Sequence, residues 1–109
     1  MATKANIVID QGSTFDVTFD LTDENGDPLN LIEYTVSSQL RKHYSSTNSV
    51  SFSCSTSGAN GNVTIALTAN QTSSIPNGRY VYDLELTNID GTVSRIIEGI
   101  VTVTPQVTR

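Results

Sequence analysis

Nucleophilic catalysis needs a base beside the nucleophile, and His43 is the single histidine of this chain. It sits in Arg41-Lys42-His43-Tyr44, at the end of an alternating segment, where an exposed loop position is expected. Serines are abundant, so a serine near it means little, and no Gly-x-Ser-x-Gly elbow exists. One histidine and one cysteine, Cys54, cannot make a structural zinc site. Asp23, Asn25 and Asp27 have the spacing of the first ligands of a calcium loop. However, Pro28 follows directly and Tyr34 stands where the closing glutamate belongs, so the segment reads as a turn. Asp16, Asp20, Asp83 and Glu85 fall on the outward phase of strands, where two carboxylates could approach each other as in a glycosidase. No connection is long enough to build a cleft over them, and a solvated face is the expectation. Asn62-Val63-Thr64 and Asn70-Gln71-Thr72 spell glycosylation sequons in a chain with no secretory signal. These residues predict no enzyme, no metal and no cofactor.

The elements that would have to hold any site are strands. At 109 residues the chain fits one domain, and a domain of that size can bury a working core without disulfides. Cys54 alternates with Val50 and Phe52, which suits a small buried side chain better than a reactive thiol. The net charge of −5 and six dispersed basic residues argue against nucleic-acid binding. No apolar run is long enough to span a bilayer, and Met1 to Ala5 lacks a signal-peptide core. A protein made in the cytoplasm and soluble is expected.

Period-two alternation recurs along the chain. Residues 5–10 form a short first strand. Phe15, Val17, Phe19 and Leu21 alternate with Asp16, Thr18 and Asp20. Asp23 to Pro28 turns the chain, and Leu29 and Leu31 cap the core from that connection. Tyr34, Val36, Ser38 and Leu40 resume the alternation. Val50, Phe52 and Cys54 begin a strand that Ser57 to Gly61 folds back onto Val63, Ile65 and Leu67. Thr68-Ala69-Asn70-Gln71 matches a capping box and predicts about one helical turn, closed by Ile75-Pro76. Tyr80, Tyr82, Leu84 and Leu86 mark the next strand, Asp90-Gly91 a tight turn, and Val93 to Val103 the last. There Ile96 and Ile100 oppose the parity of Val93, Ile97, Val101 and Val103, so either both faces are covered or a bulge near Gly99 shifts the register, and the bulge is favoured.

This gives an all-β domain over residues 1–104, of about seven strands with one helical turn, and a short tail over 105–109. A closed barrel is the main rival to a sandwich. Asn77-Gly78-Arg79-Tyr80-Val81-Tyr82 favours the sandwich. In immunoglobulin-like domains a Gly-x-Tyr-x-Cys stretch forms a tyrosine corner, whose hydroxyl bonds back to the turn upstream. Gly78 and Tyr80 fit it, and Tyr82 takes the cysteine's place, packing where others cross-link. The fold expected is an immunoglobulin-like antiparallel β-sandwich.

What remains for function is surface and edges. Ile7, Val8 and Ile9 carry no charge before Asp10, so this strand is a candidate to dock on a neighbour's sheet. The plainer reading makes it the domain's own first strand. The tail, Pro105, Gln106 and Val107 through Arg109, is the second docking candidate.

Gly12 to Phe15, Asn25 to Leu31, Gly78 to Leu86 and Gly99 to Arg109 together resemble small immunoglobulin-like modules of tailed bacteriophages. The likeness extends over nearly the whole chain, Tyr34 and Gln39-Leu40-Arg41 included. Related modules attach baseplate and receptor-binding proteins, and stand-alone copies are similar to virion structural proteins of contractile-tailed marine phages. The resemblance implies no catalytic residues. It implies docking in many copies onto a larger virion component: tail, neck or baseplate, or else the major capsid protein as a decoration subunit. The sequence supplies no second domain to be attached, which favours an accessory or decoration role. A carbohydrate or host-surface binding module is the further alternative.

Overall fold

The structure, a computed structural model, describes residues 3–23, 25–56 and 60–107. Its strands are β1 (Thr3–Lys4), β2 (Ile7–Asp10), β3 (Phe15–Asp20), β4 (Tyr34–Arg41), β5 (Val50–Ser51), β6 (Ser53–Thr56), β7 (Asn62–Leu67), β8 (Gly78–Asn88) and β9 (Val93–Thr104). One helix, α1 (Ala69–Ser73), joins β7 to β8. They form two sheets face to face. The larger runs β1-β9-β8-β4-β5, with β2 also on β9, and the smaller runs β3-β7-β6. This is the immunoglobulin-like sandwich. The nine segments reduce to seven strands once β1 with β2, and β5 with β6, are read as single strands interrupted once each.

Both interruptions have a physical cause. Between β5 and β6 the chain leaves one sheet for the other at Phe52, whose N–H still donates to Ser38 O of the first sheet at 3.0 Å. Its ring is buried between those of Phe15, 6.0 Å away, and Tyr82, 6.3 Å away, so burying the aromatic ring holds the crossing in place. Between β1 and β2 the backbone lifts at Ala5-Asn6. The Asn6 side chain takes over the ladder there, accepting from Ile100 N–H at 3.0 Å.

The first strand pairs with β9 in parallel, not antiparallel, from Ile7 opposite Val101 to Asp10 opposite Thr104. Chain direction dictates this, since β2 and β9 both run toward the end of the sandwich that carries α1. The register shift of the last strand lies at Ile96, not at Gly99. Leu84 pairs Ile97 and Glu85 pairs Arg95, leaving Ile96 as the extra residue. Gly99 serves a different need, because a Cβ there would collide with the Ala5 carbonyl.

The core lies between the sheets. Ile9, Leu40, Val63, Ile65, Leu67, Leu84, Leu86, Val101 and Val103 are almost wholly buried, with Leu31 closing one end and Ile75 the other. The capping box at α1 is complete: Thr68 Oγ1 accepts from Gln71 N–H, and Gln71 Oε1 accepts from Thr68 N–H. Tyr80 closes the tyrosine corner, its hydroxyl donating to Pro76 O at 2.6 Å. Tyr82 does more than pack. Its hydroxyl crosses over Gly99 to donate to Ala5 O at 2.5 Å, tying the first strand to the sheet where disulfide-bearing relatives of this fold would have sulfur. Cys54 is only half-buried, and burial raises its thiol pKa, which suits a packing role. The turn read at Ser57 to Ala59 lies outside the described residues.

Candidate docking surfaces

Of the three side chains of β2 read as docking candidates, the structure leaves one outward. Ile9 is fully buried, Ile7 packs against the core, and Val8 is 60% exposed. Ile9 is a core residue, not a docking one. A lack of charge marks apolar burial just as well as an open edge, and here burial is the outcome. The tail divides in the same way. Gln106 is held inside the domain: its N–H donates to Gln11 Oε1 at 3.0 Å and its side chain lies where a Gly12 Cβ would be. Pro105 and Val107 are exposed, whereas Thr108 and Arg109 lie outside the described residues.

Val8 belongs to a larger feature. On the outer face of the five-stranded sheet it stands beside Thr102 and one diagonal step from Ile100, which is 41% exposed and pairs with Val81. Charged and polar groups border this apolar strip. Arg79 and Arg41 lie along one margin, and along the next row Arg95 sits 3.4 Å from both Asp83 and Glu98. An apolar centre with a polar rim is the anatomy of a protein-binding patch.

The acidic residues do not converge on chemistry. Asp16 and Asp20 stand on the outer face of the small sheet, Asp83 and Glu85 on that of the large one, with the core between them. Asp23 Oδ1 accepts from the N–H groups of Asn25 (2.9 Å) and Asp27 (3.1 Å), so this carboxylate shapes its own turn. His43 is exposed on the β4–β5 connection. Among the described residues no group of three His, Cys, Asp or Glu side chains comes together.

Sequence reasoning missed one cavity. It occupies about 370 Å³ at the α1 end of the sandwich, between the β4–β5 connection and the turn after α1. Leu40, Val50, Ile75, Pro76 and Tyr80 supply its apolar wall. Lys42 lies along the rim with its ammonium 4.8 Å from the centre of the Tyr80 ring, a cation–π placement. Arg41 braces the opposite wall, donating to Ser46 O at 2.6 Å. Arg41-Lys42 is the only adjacent basic pair in the chain, and its place before a polar loop was the signal available.

No family model matches the sequence, and no curated protein matches it either. Solved structures do. A mutant of the SrpA adhesin from Streptococcus sanguinis superposes with a TM-score of 0.55 at 16% identity, over 92% of this chain and 55% of the adhesin chain. An internalin-like protein of Listeria monocytogenes gives 0.50 at 19% identity, over 94% of this chain and 28% of its own. The chain thus spans about half of one relative and about a quarter of the other. At such identities the likeness is one of fold, and the fold is a β-sandwich of immunoglobulin-like type.

Proposed function

We propose that this protein is a non-enzymatic structural component of a tailed-phage virion, docking in multiple copies onto a larger protein of the tail, neck or baseplate. The observation that carries the docking role is the rimmed apolar strip of exposed Val8 and Ile100, with half-buried Val81 beside them, on an otherwise polar sheet face. Exposed apolar side chains scattered singly need no partner, but a contiguous strip beside a sheet edge gains by being covered. The virion setting rests on the resemblance of residues 12–15, 25–31, 78–86 and 99–109 to phage modules. A place on the capsid as a decoration subunit is the alternative within the same class.

Immunogold labelling of purified virions with antibody to this protein tests the reading. Gold on tail or baseplate is expected, gold over heads would transfer the protein to the capsid, and unlabelled particles would sink the proposal. Ile100→Asp on the docking strip should leave the melting temperature nearly unchanged and reduce incorporation into particles.

A further inference from the structure

The two ends of the sandwich are complementary to each other. Tyr34 pairs with Asn88, so the residues just beyond them, Ile32-Glu33 and Ile89-Asp90, project side by side from one end. Ile32 is 70% and Ile89 78% exposed, unusual for isoleucines at turn tips. Each is followed by an acid, and the neighbouring turn adds Asp23 and Asp27. The opposite end holds the cavity of about 370 Å³, apolar on its walls and rimmed by Lys42 and Arg41, with Arg79 at the same end of the sheet on its outer face. Among the described residues Arg95 is the basic residue that forms ion pairs, and Arg41, Lys42 and Arg79 form none. The two acids at that end, Asp10 and Asp16, lie across it from the cavity: Asp10 pairs with Thr104 at the β9 edge and Asp16 stands on the small sheet.

We propose that copies of this chain associate head to tail, the Ile32-Glu33 and Ile89-Asp90 knob of one copy seating in the Lys42-rimmed cavity of the next. A cavity of this size admits branched aliphatic side chains. The acids following those isoleucines then meet the Lys42 and Arg41 charges at the rim. A second copy is the fitting occupant because the chain carries both halves of the contact. With a net charge of −5, two copies repel at most approaches, so the attractive approach is the one that brings acidic end to basic end. The molecule measures 45 × 27 × 20 Å, and the knob and the cavity lie at opposite ends of the strands. The contact is therefore heterologous and propagates into a ring or a string rather than closing as a two-fold dimer. This deepens the multi-copy reading above.

Sedimentation of the purified full chain, at concentrations up to millimolar and in low and high salt, reads it directly. The mass is expected to rise beyond that of a dimer, and salt to weaken the rise. Lys42→Glu in the cavity rim, or Ile32→Ser with Ile89→Ser on the knob, should each weaken association at least ~10-fold, as loss of an interface charge or anchor does. Asn48→Trp, which fills the cavity without touching charge, should do the same, and thermal melts would confirm that all three fold. A mixture of the Lys42→Glu and the double-serine chains has one good cavity and one good knob between them. It should form one-to-one dimers that grow no further. A monomer at every concentration, association indifferent to these changes, or no mixed dimer would overturn the proposal. A monomeric protein on labelled virions would remove head-to-tail association alone, while a self-associating protein absent from virions would remove the virion reading alone.

Discussion

The two ends of this sandwich are held by different kinds of bond. At the α1 end several side-chain hydrogen bonds join distant parts of the chain, beside local ones such as Tyr80 to Pro76 O. Gln11 donates to Ile75 O, Thr72 Oγ1 accepts from Gly12 N–H and donates to Ser13 O, and Gln106 N–H donates to Gln11 Oε1, across 64, 60, 59 and 95 residues. At the opposite end they are local. Asp23 caps its own turn, Asn30 accepts from Ile32 N–H, Asn88 from Ile89 N–H and Asp90 from Thr92 N–H, none reaching beyond four residues. Long-range ties fix α1 and the turn after it, one wall of the cavity, relative to residues 11–13, whereas the β4–β5 wall is braced locally through Arg41 and Ser46. Local ties fix only the shape of a single turn, which suffices for a protruding knob. One wall of the cavity is therefore tied to distant segments, whereas the other end is a set of separate tips.

Substitution can break that contrast. The largest effect is expected from Thr72→Val at the tied end. Thr72 is fully buried, and valine would strand Gly12 N–H and Ser13 O without their partner, costing about 1–3 kcal/mol in urea unfolding. Tyr80→Phe leaves the ring but removes the bond to Pro76 O, for about 1 kcal/mol. Thr68→Ala removes the N-cap of α1 for a similar ~1 kcal/mol. At the untied end Asp90→Asn, at a fully exposed turn, should have the smallest effect of the four. If Asp90→Asn costs as much as Thr72→Val, the contrast between the ends is wrong.

Acid and alkali sharpen the comparison. Hydrogen bonds from the Thr92 backbone N–H and hydroxyl hold the Asp90 carboxyl below its ordinary pKa of 3.8. Its contribution is present above that value and fades as pH falls through the lower folded one, and Asp90→Asn removes this fading. Burial pushes the Tyr82 phenol up from 10.0 to about 12. The folded pKa is raised, so the stability linked to it is complete below pH 10 and lost as pH climbs toward 12. Absorbance titration should show this tyrosine ionising together with unfolding, and Tyr82→Phe should flatten the alkaline limb while lowering stability at neutral pH.

How much of this was legible in the sequence follows the same division between local and distant bonds. The capping box at Thr68, the tyrosine corner at Tyr80 and the turn at Asp23 were readable, because each is a short pattern whose partners lie within a few residues. The parallel pairing of β2 with β9, the sheet change at Phe52 and the Gln11 to Gln106 bond were not, since each depends on where a remote segment arrives. The bulge shows the boundary. Parity conflict among Ile96, Ile97 and Ile100 announced a register shift. The conspicuous glycine nearby drew the assignment three residues too far, because nothing local reveals that Gly99 is reserved for the Ala5 carbonyl. Among the docking candidates Ile9 failed for the same reason: alternation shows which residues share a face, not which face another strand will cover. Ile89, an apolar residue at a hairpin tip, was the readable hint of the knob.

The parallel seating of β2 on β9 also has a mechanical meaning. Force drawing the two termini apart along the long axis would slide these strands past each other, loading the bonds from Ile7–Val101 to Asp10–Thr104 all at once. A ladder loaded in shear yields only when many bonds fail together, whereas a hairpin peeled from its tip fails one bond at a time. Pulled by its ends in a single-molecule trap, the domain should hold to a higher force than when pulled across the β8–β9 hairpin.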